Sequence, residues 1–147
     1  IHEAGNAMTN LELGIIGNGT VAGLIDEDAN CVWLCLPRLD GEPVFNKLLG
    51  GRGQFAVTLQ GHCKSTQTYQ RNTAIIETVL EAEDGSAVRV TDYCPRFMDK
   101  GRMFRPTSMV RRITPLKGMP RIKVELFAQS QQGEYNMVTR REPYQVP

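Results

Sequence analysis

Short apolar runs separated by turn chemistry fill most of the chain. Residues 11–17 and 20–25 are two such runs, joined by Asn18-Gly19. That dipeptide is the strongest short hairpin signal a sequence offers, because both residues accept positive φ. The polar turn Asp26-Glu27-Asp28-Ala29-Asn30 leads to a third run over 31–36. Pro37 has no N–H to give to a ladder, which predicts the end of that strand. Residues 44–49 read apolar-apolar-polar-polar-apolar-apolar, predicting one or two helical turns closed by Gly50-Gly51. Further strands are predicted over 54–59, 66–71, 73–82, 86–93, 108–114 and 121–127. The stretch 86–93 alternates cleanly, with Val88, Val90 and Asp92 on one side and Ala87, Arg89, Thr91 and Tyr93 on the other. Glu83-Asp84-Gly85 before it reads as a hairpin loop. Many short strands, almost no helical period and turns every eight to twelve residues or so predict an all-β domain, a sandwich or a barrel.

Composition narrows the class. A chain of 147 residues fits one domain with a single core, and at that size about 70% of the unfolded chain's surface is buried. Hydrophobic residues make up 41% and charged residues 22%, an ordinary globular balance. Net charge is +1, which argues against a dedicated nucleic-acid binder. Residues 100–123 do carry eight Lys/Arg and no acid. Phe104 is the only aromatic there, too few for a base-stacking platform. Arg111/Arg112 and Arg121/Lys123 on strand edges read as a solvated or interdomain face. No apolar run approaches the roughly 18 residues of a membrane helix, and no secretory leader is evident. Cys31, Cys35, Cys63 and Cys94 contain no C-x-x-C pair, so free, mostly buried thiols and a cytoplasmic setting are expected. Residues 1–7 read as a leader or cloning remnant ahead of Met8.

Few segments carry recognisable chemistry. Gly17-Asn18-Gly19-Thr20-Val21-Ala22 matches the dinucleotide fingerprint G-x-G-x-x-A, with Asp40 some twenty residues on. The fingerprint works only if a helix opens at the second glycine, and the turn at 26–30 leaves room for about two turns, where a typical helix has about three. A strand-to-strand turn is therefore expected, and no cofactor. Zinc-type spacing is absent, so no metal is expected; the cysteines read as small hydrophobes beside a core Trp33. His2 and His62 stand in no nucleophile motif, His62-Cys63 reads as loop, and no two carboxylates stand out as a pair. The stiff loop Leu36-Pro37-Arg38-Leu39-Asp40-Gly41-Glu42-Pro43-Val44-Phe45 is the candidate site. There Arg38 and Asp40 either brace the loop or reach a neighbouring domain or a sugar, and Val44 and Phe45 offer an apolar partner-facing surface.

Several of these strings occur together in a known order. Leu13-Gly14-Ile15-Ile16-Gly17-Asn18-Gly19, Ala22-x-Leu24-Ile25-Asp26-x-Asp28 and Trp33-Leu34-Cys35-Leu36-Pro37-Arg38-Leu39-Asp40-Gly41-x-Pro43-Val44-Phe45 resemble the opening of bacterial glycoside hydrolase family 15 proteins of the trehalase-like or glucoamylase-like kind. Tyr69-x-Arg71-Asn72-Thr73, Ala87-Val88-Arg89-Val90-Thr91-Asp92-Tyr93-Cys94-Pro95-Arg96, Arg105-Pro106 and Val110-Arg111-Arg112 continue the likeness. Leu39 departs from the family's usual phenylalanine, and Asn30 stands where it often has glycine.

The resemblance implies an all-β, antiparallel β-sandwich (supersandwich-like) with at most one short helix. It divides the chain into residues 1–7, a sandwich over 8–126 and an atypical tail over 127–147. It further implies a non-catalytic amino-terminal domain that supports an (α/α)6 barrel, where two glutamates hydrolyse α-glucosidic bonds with inversion. On this reading Arg38, Asp40 and Phe45 form an interdomain or substrate-rim loop. The expected partners are the barrel, an α-glucoside in the full-length context, and a second copy of the fragment, with neither nucleic acid nor membrane. Rival readings are a free-standing carbohydrate-binding sandwich and a dinucleotide-binding enzyme.

Overall fold

A computed structural model describes residues 13–36, 40 and 42–128. Twelve strands and one 3-10 turn make up the regular structure of these residues. The strands are β1 (Gly14–Gly17), β2 (Ala22–Ile25), β3 (Cys31–Cys35), β4 (Pro43–Phe45), β5 (Gln54–Leu59), β6 (His62–Tyr69), β7 (Ile76–Ala82), β8 (Ala87–Tyr93), β9 (Phe97–Asp99), β10 (Arg102–Phe104), β11 (Val110–Lys117) and β12 (Ile122–Phe127). One sheet runs β1-β2-β3-β5-β12, with β4 also pairing β3. The second runs β11-β8-β7-β6, and β9 and β10 form a separate two-stranded hairpin. Every pairing is antiparallel. The expected all-β, antiparallel, sandwich-like architecture is present.

Alternation explains the packing of the two sheets. Ile76, Leu80 and Ala82 of β7 and Val88 and Val90 of β8 are all buried. Leu80, Ala82, Val88 and Val90 pack with Val57 and Leu59 of β5. Ile76 packs in a second cluster with Ile16, Ile25, Leu34 and Phe45. Burying each such side chain stabilises the fold by about 1.5–3 kcal/mol. Gly14 permits close approach of the sheets, because a Cβ there would lie 2.3 Å from Ile76 Cδ1.

The same period that buries Val88 and Val90 also buries Asp92, whose residue is 0% exposed. Arg111 stands directly opposite it in the β8–β11 register. Its Nε donates to Asp92 Oδ1 at 2.6 Å and its Nη2 to Oδ2 at 3.1 Å. Nη1 donates to the Phe55 carbonyl at 2.7 Å, and Nη2 also reaches the Ala29 carbonyl. The guanidinium lies 4.8 Å from the centre of the Phe55 ring, a cation–π contact. One side chain from the second sheet therefore satisfies a buried acid on its own sheet and two carbonyls on the first. Burial pushes the Asp92 carboxyl up, against the pull of Arg111. Arg111 is thus a core clamp, which corrects its reading as part of a solvated edge; Arg112 beside it is exposed.

Other departures have physical causes. Val44 and Phe45 lie in β4, and only Lys47–Leu49 winds, as a 3-10 turn ended by Gly50 at φ 91°. His62-Cys63 opens β6 rather than lying in a loop. β6 is an edge strand whose only partly buried residues, Ser65 and Gln67, are polar, so it has no apolar period to read. Residues 70–75 form a turn, and β7 begins at Ile76 rather than at residue 73. β11 runs through Pro115, which an edge strand tolerates at a register shift. Trp33 is half-buried rather than core. It lines a groove of about 210 Å³ with Ala22, Gly23, Leu24 and Cys35.

Candidate functional site

Several loops meet at one end of the sandwich, and Asn18 ties three of them together. Gly17 ends β1 and Ala22 begins β2, directly opposite each other, so residues 18–21 make the turn. Asn18 is 2% exposed. Its Oδ1 accepts from the Thr20 and Val21 amides at 2.9 and 3.1 Å, closing the turn. Its Nδ2 donates to the Pro95 carbonyl and to the Pro106 carbonyl, both at 2.8 Å. Every polar hydrogen and lone-pair site that matters here is thus engaged, and an amide side chain is the group that can do both. Gly19 sits at φ 91°, and a Cβ there would meet Arg105 Cδ at 3.5 Å. Asn72, at φ 58°, turns the chain at 70–75, a conformation asparagine tolerates better than most residues. Thr73 closes that turn, donating from Oγ1 to the Gln70 carbonyl at 2.8 Å.

These loops enclose a cleft of about 540 Å³. Tyr93, Arg96, Phe97 and Arg105 line it together with Asn18 and Asn72. Its described lining holds two arginines and no carboxylate or histidine. Cys94, also in the lining, is pushed up to about 11 by burial, with the charge of Asp92 adding to the rise. A thiol so strongly protonated is no nucleophile near neutral pH. The cleft can offer cations and hydrogen-bond donors to a ligand or a neighbouring chain. It lacks the pair of acids that glycoside hydrolysis requires.

Beside the cleft stands the β9–β10 hairpin. Lys100-Gly101 forms its two-residue loop, with φ 50° and 79°, the positive values that a tight right-twisted hairpin needs. All six strand residues are exposed. Phe97 and Phe104 stack at 5.4 Å and an interplanar angle of 16°, yet are 51% and 41% exposed. Met98 and Met103 are 61% and 44% exposed. The hairpin presents an apolar surface that the described core does not use.

The expected loop is distributed differently. Arg38 lies outside the described residues, so the Arg38–Asp40 pairing does too. Asp40 is exposed in a turn. Phe45 is 5% exposed and packs edge-on against Phe55 at 6.2 Å. Val44 is 7% exposed. Both side chains belong to this domain's own core, which corrects the expectation that they face a partner. Gly17-Asn18-Gly19 joins two paired strands, so the helix that the dinucleotide fingerprint requires is replaced by β2. Among the described residues, no group of three or more His, Cys, Asp or Glu is placed to hold a metal.

A second polar cluster was not legible in the sequence. His62 Nε2 lies 2.7 Å from Ser65 Oγ, and Ser65 Oγ donates to Asp28 Oδ1 at 2.6 Å. With its hydroxyl proton directed at Asp28, Ser65 is left to accept from the Nε2–H tautomer of His62, the reverse of the arrangement in which histidine activates serine. The cluster pins the turn at 26–30 to β6. In contrast, most of the cleft residues were present in the resemblance strings at 17–19, 71–73, 93–96 and 105–106, with Ala74, Ile75 and Phe97 outside them. Their convergence was the missing information.

The chain belongs to the trehalase-like N-terminal domain family, whose family model matches residues 3–141. The match takes in most of residues 127–147. No curated protein and no solved structure matches the chain. No helix among the described residues is long and apolar enough to cross a membrane.

Proposed function

We propose that this domain is the non-catalytic amino-terminal sandwich of a glucoamylase/trehalase-type hydrolase of glycoside hydrolase family 15. In this reading it braces an (α/α)6 catalytic barrel and contributes to the rim of the barrel's α-glucoside site, within the cytoplasm. The observation that carries the reading is the pairing of an acid-free cleft with a bare apolar hairpin. Two stacked aromatics and two methionines half in water contribute little to this fold, and such patches mark contact surfaces. Arg96 and Arg105 in the adjacent cleft suit the acidic side chains or sugar hydroxyls of a partner's rim. Glucose release from trehalose, maltose and starch tests this. The 147-residue chain alone releases none above the blank; release that disappears on changing one carboxylate between Asp26 and Asp92 contradicts the proposal.

One observation favours a second reading, a free-standing carbohydrate-binding module. Trp33, the sole tryptophan, lines an open apolar groove, and an indole face can stack on a sugar ring. Its emission is an unambiguous reporter. A saturable change on titrating maltose or trehalose supports the module, and an unchanged spectrum removes it.

A further inference from the structure

The outer strand β12 carries a pattern that reads the same in both directions. Its sequence from Ile122 is Ile-Lys-Val-Glu-Leu, apolar at every second position with one base and one acid between. The β5 register places Ile122 opposite Leu59 and Val124 opposite Val57, so these side chains share the inner face of the sheet. Leu59 and Val57 are 2% exposed, whereas Ile122, Val124 and Leu126 are 39%, 48% and 49% exposed. Among the described residues β12 pairs β5 and nothing on its other side. An edge of this kind presents free N–H and C=O groups to another strand.

We infer that β12 is the contact strand of a two-fold homodimer, pairing antiparallel with β12 of a second copy. With the axis at Val124, Val124 faces itself, Ile122 faces Leu126, and Lys123 faces Glu125 on each side of the axis. Opposite charges directly across an antiparallel pair are stabilising and like charges destabilising. Shifting the axis to Lys123 sets lysine against lysine, and shifting it to Glu125 sets glutamate against glutamate. A one-residue offset sets charged against apolar residues. Of these registers, only the one centred on Val124 sets neither like charges nor a charge and an apolar residue against each other within Ile122–Leu126, and it extends the apolar inner row of β12 with the same three residues from the second copy. Lys123 and Glu125, 3.7 Å apart along the strand, each gain a second partner. Lysine on an edge strand ordinarily deters pairing; the glutamate two residues on turns that deterrent into a choice of register. A two-fold contact uses the same β12 edge of both copies, so pairing through β12 closes at the dimer.

Charge exchange tests the register. In light scattering over a concentration series, the native chain forms a dimer. Lys123→Glu and Glu125→Lys each raise the dissociation constant about tenfold, since each replaces two attractive cross-strand pairs by two repulsive ones. The double variant Lys123→Glu/Glu125→Lys restores it. In a Cys63→Ser background, Val124→Cys closes a disulfide between copies on mild oxidation, because residues facing each other across an antiparallel pair lie within disulfide reach. Unchanged circular dichroism shows that each variant is folded. A native chain that stays monomeric, a dimer indifferent to both single charge changes, or a double variant as weak as the singles overturns the assignment.

Discussion

β8 and the β9–β10 hairpin lie next to each other in the chain and use apolar residues in opposite ways. In β8 the inward face of Val88, Val90 and Asp92 is sealed, and even its acid is satisfied by Arg111. In the hairpin Phe97, Met98, Met103 and Phe104 are 41–61% exposed. The first segment's residues are explained by the fold alone. The second segment's are not, and Asn18, which holds the Pro95 and Pro106 carbonyls on either side of the hairpin, ties the hairpin to the body. Buried and exposed apolar residues are thus separated along one short stretch of chain.

Breaking the sealed side has the largest effect. Arg111→Met leaves Asp92 buried without a partner and costs about 3–5 kcal/mol in denaturant unfolding. Adding Asp92→Leu recovers most of that loss, because two apolar side chains can replace a buried pair at little cost. A double variant no more stable than the single shows that the clamp serves something other than satisfying Asp92.

Asn18→Ala comes next. It leaves the Thr20 and Val21 amides and two proline carbonyls without their side-chain partner, and costs about 2 kcal/mol. Amide exchange accelerates in the hairpin more than in β7. Uniform acceleration means that Asn18 supports the whole core instead.

Much of the sealed side was legible in the sequence, and little of the open side. Clean alternation over 86–93 indicated which residues of β8 face inward, including Asp92. The partner of Asp92 was not legible, because it depends on the register of β11, nineteen residues away. Asn18-Gly19 announced its turn through residue type, although the loop spans residues 18–21 with only Gly19 at positive φ, whereas Lys100-Gly101 makes a two-residue turn with a lysine at positive φ and gave no signal. Phe45 misled for a related reason: an apolar residue after two prolines looks like a loop, and only pairing with Leu34 of β3 brings it into the core. The cleft was present as scattered strings, whose meeting depends on topology.

The cysteines sharpen the same contrast. Burial pushes Cys31 up to about 12, with Arg111 opposing and Asp92 adding to the rise, and Cys94 up to about 11. Since the thiolate is the reactive form, of these four only exposed Cys63 reacts with a thiol reagent at pH 8 in the native state. Both raised groups hold their proton in the folded chain after the unfolded chain has lost it. Their contribution to stability is complete below about pH 9 and is lost as pH rises through 11 to 12. A folding midpoint flat between pH 9 and 12 contradicts this.

The smallest effect is expected on the open side. Phe97→Ser/Phe104→Ser changes unfolding stability by no more than about 0.5 kcal/mol, as for surface positions generally. A loss several times larger assigns the stack to the fold.

Oxidative footprinting of the methionines tests the central claim most directly. Met98 and Met103 are followed in the 147-residue chain and in a longer protein that carries the proposed barrel, with Met119, 90% exposed, as the internal reference. The account predicts that both hairpin methionines oxidise readily in the domain alone and become protected relative to Met119 when the barrel is present. Equal oxidation in the two proteins contradicts it.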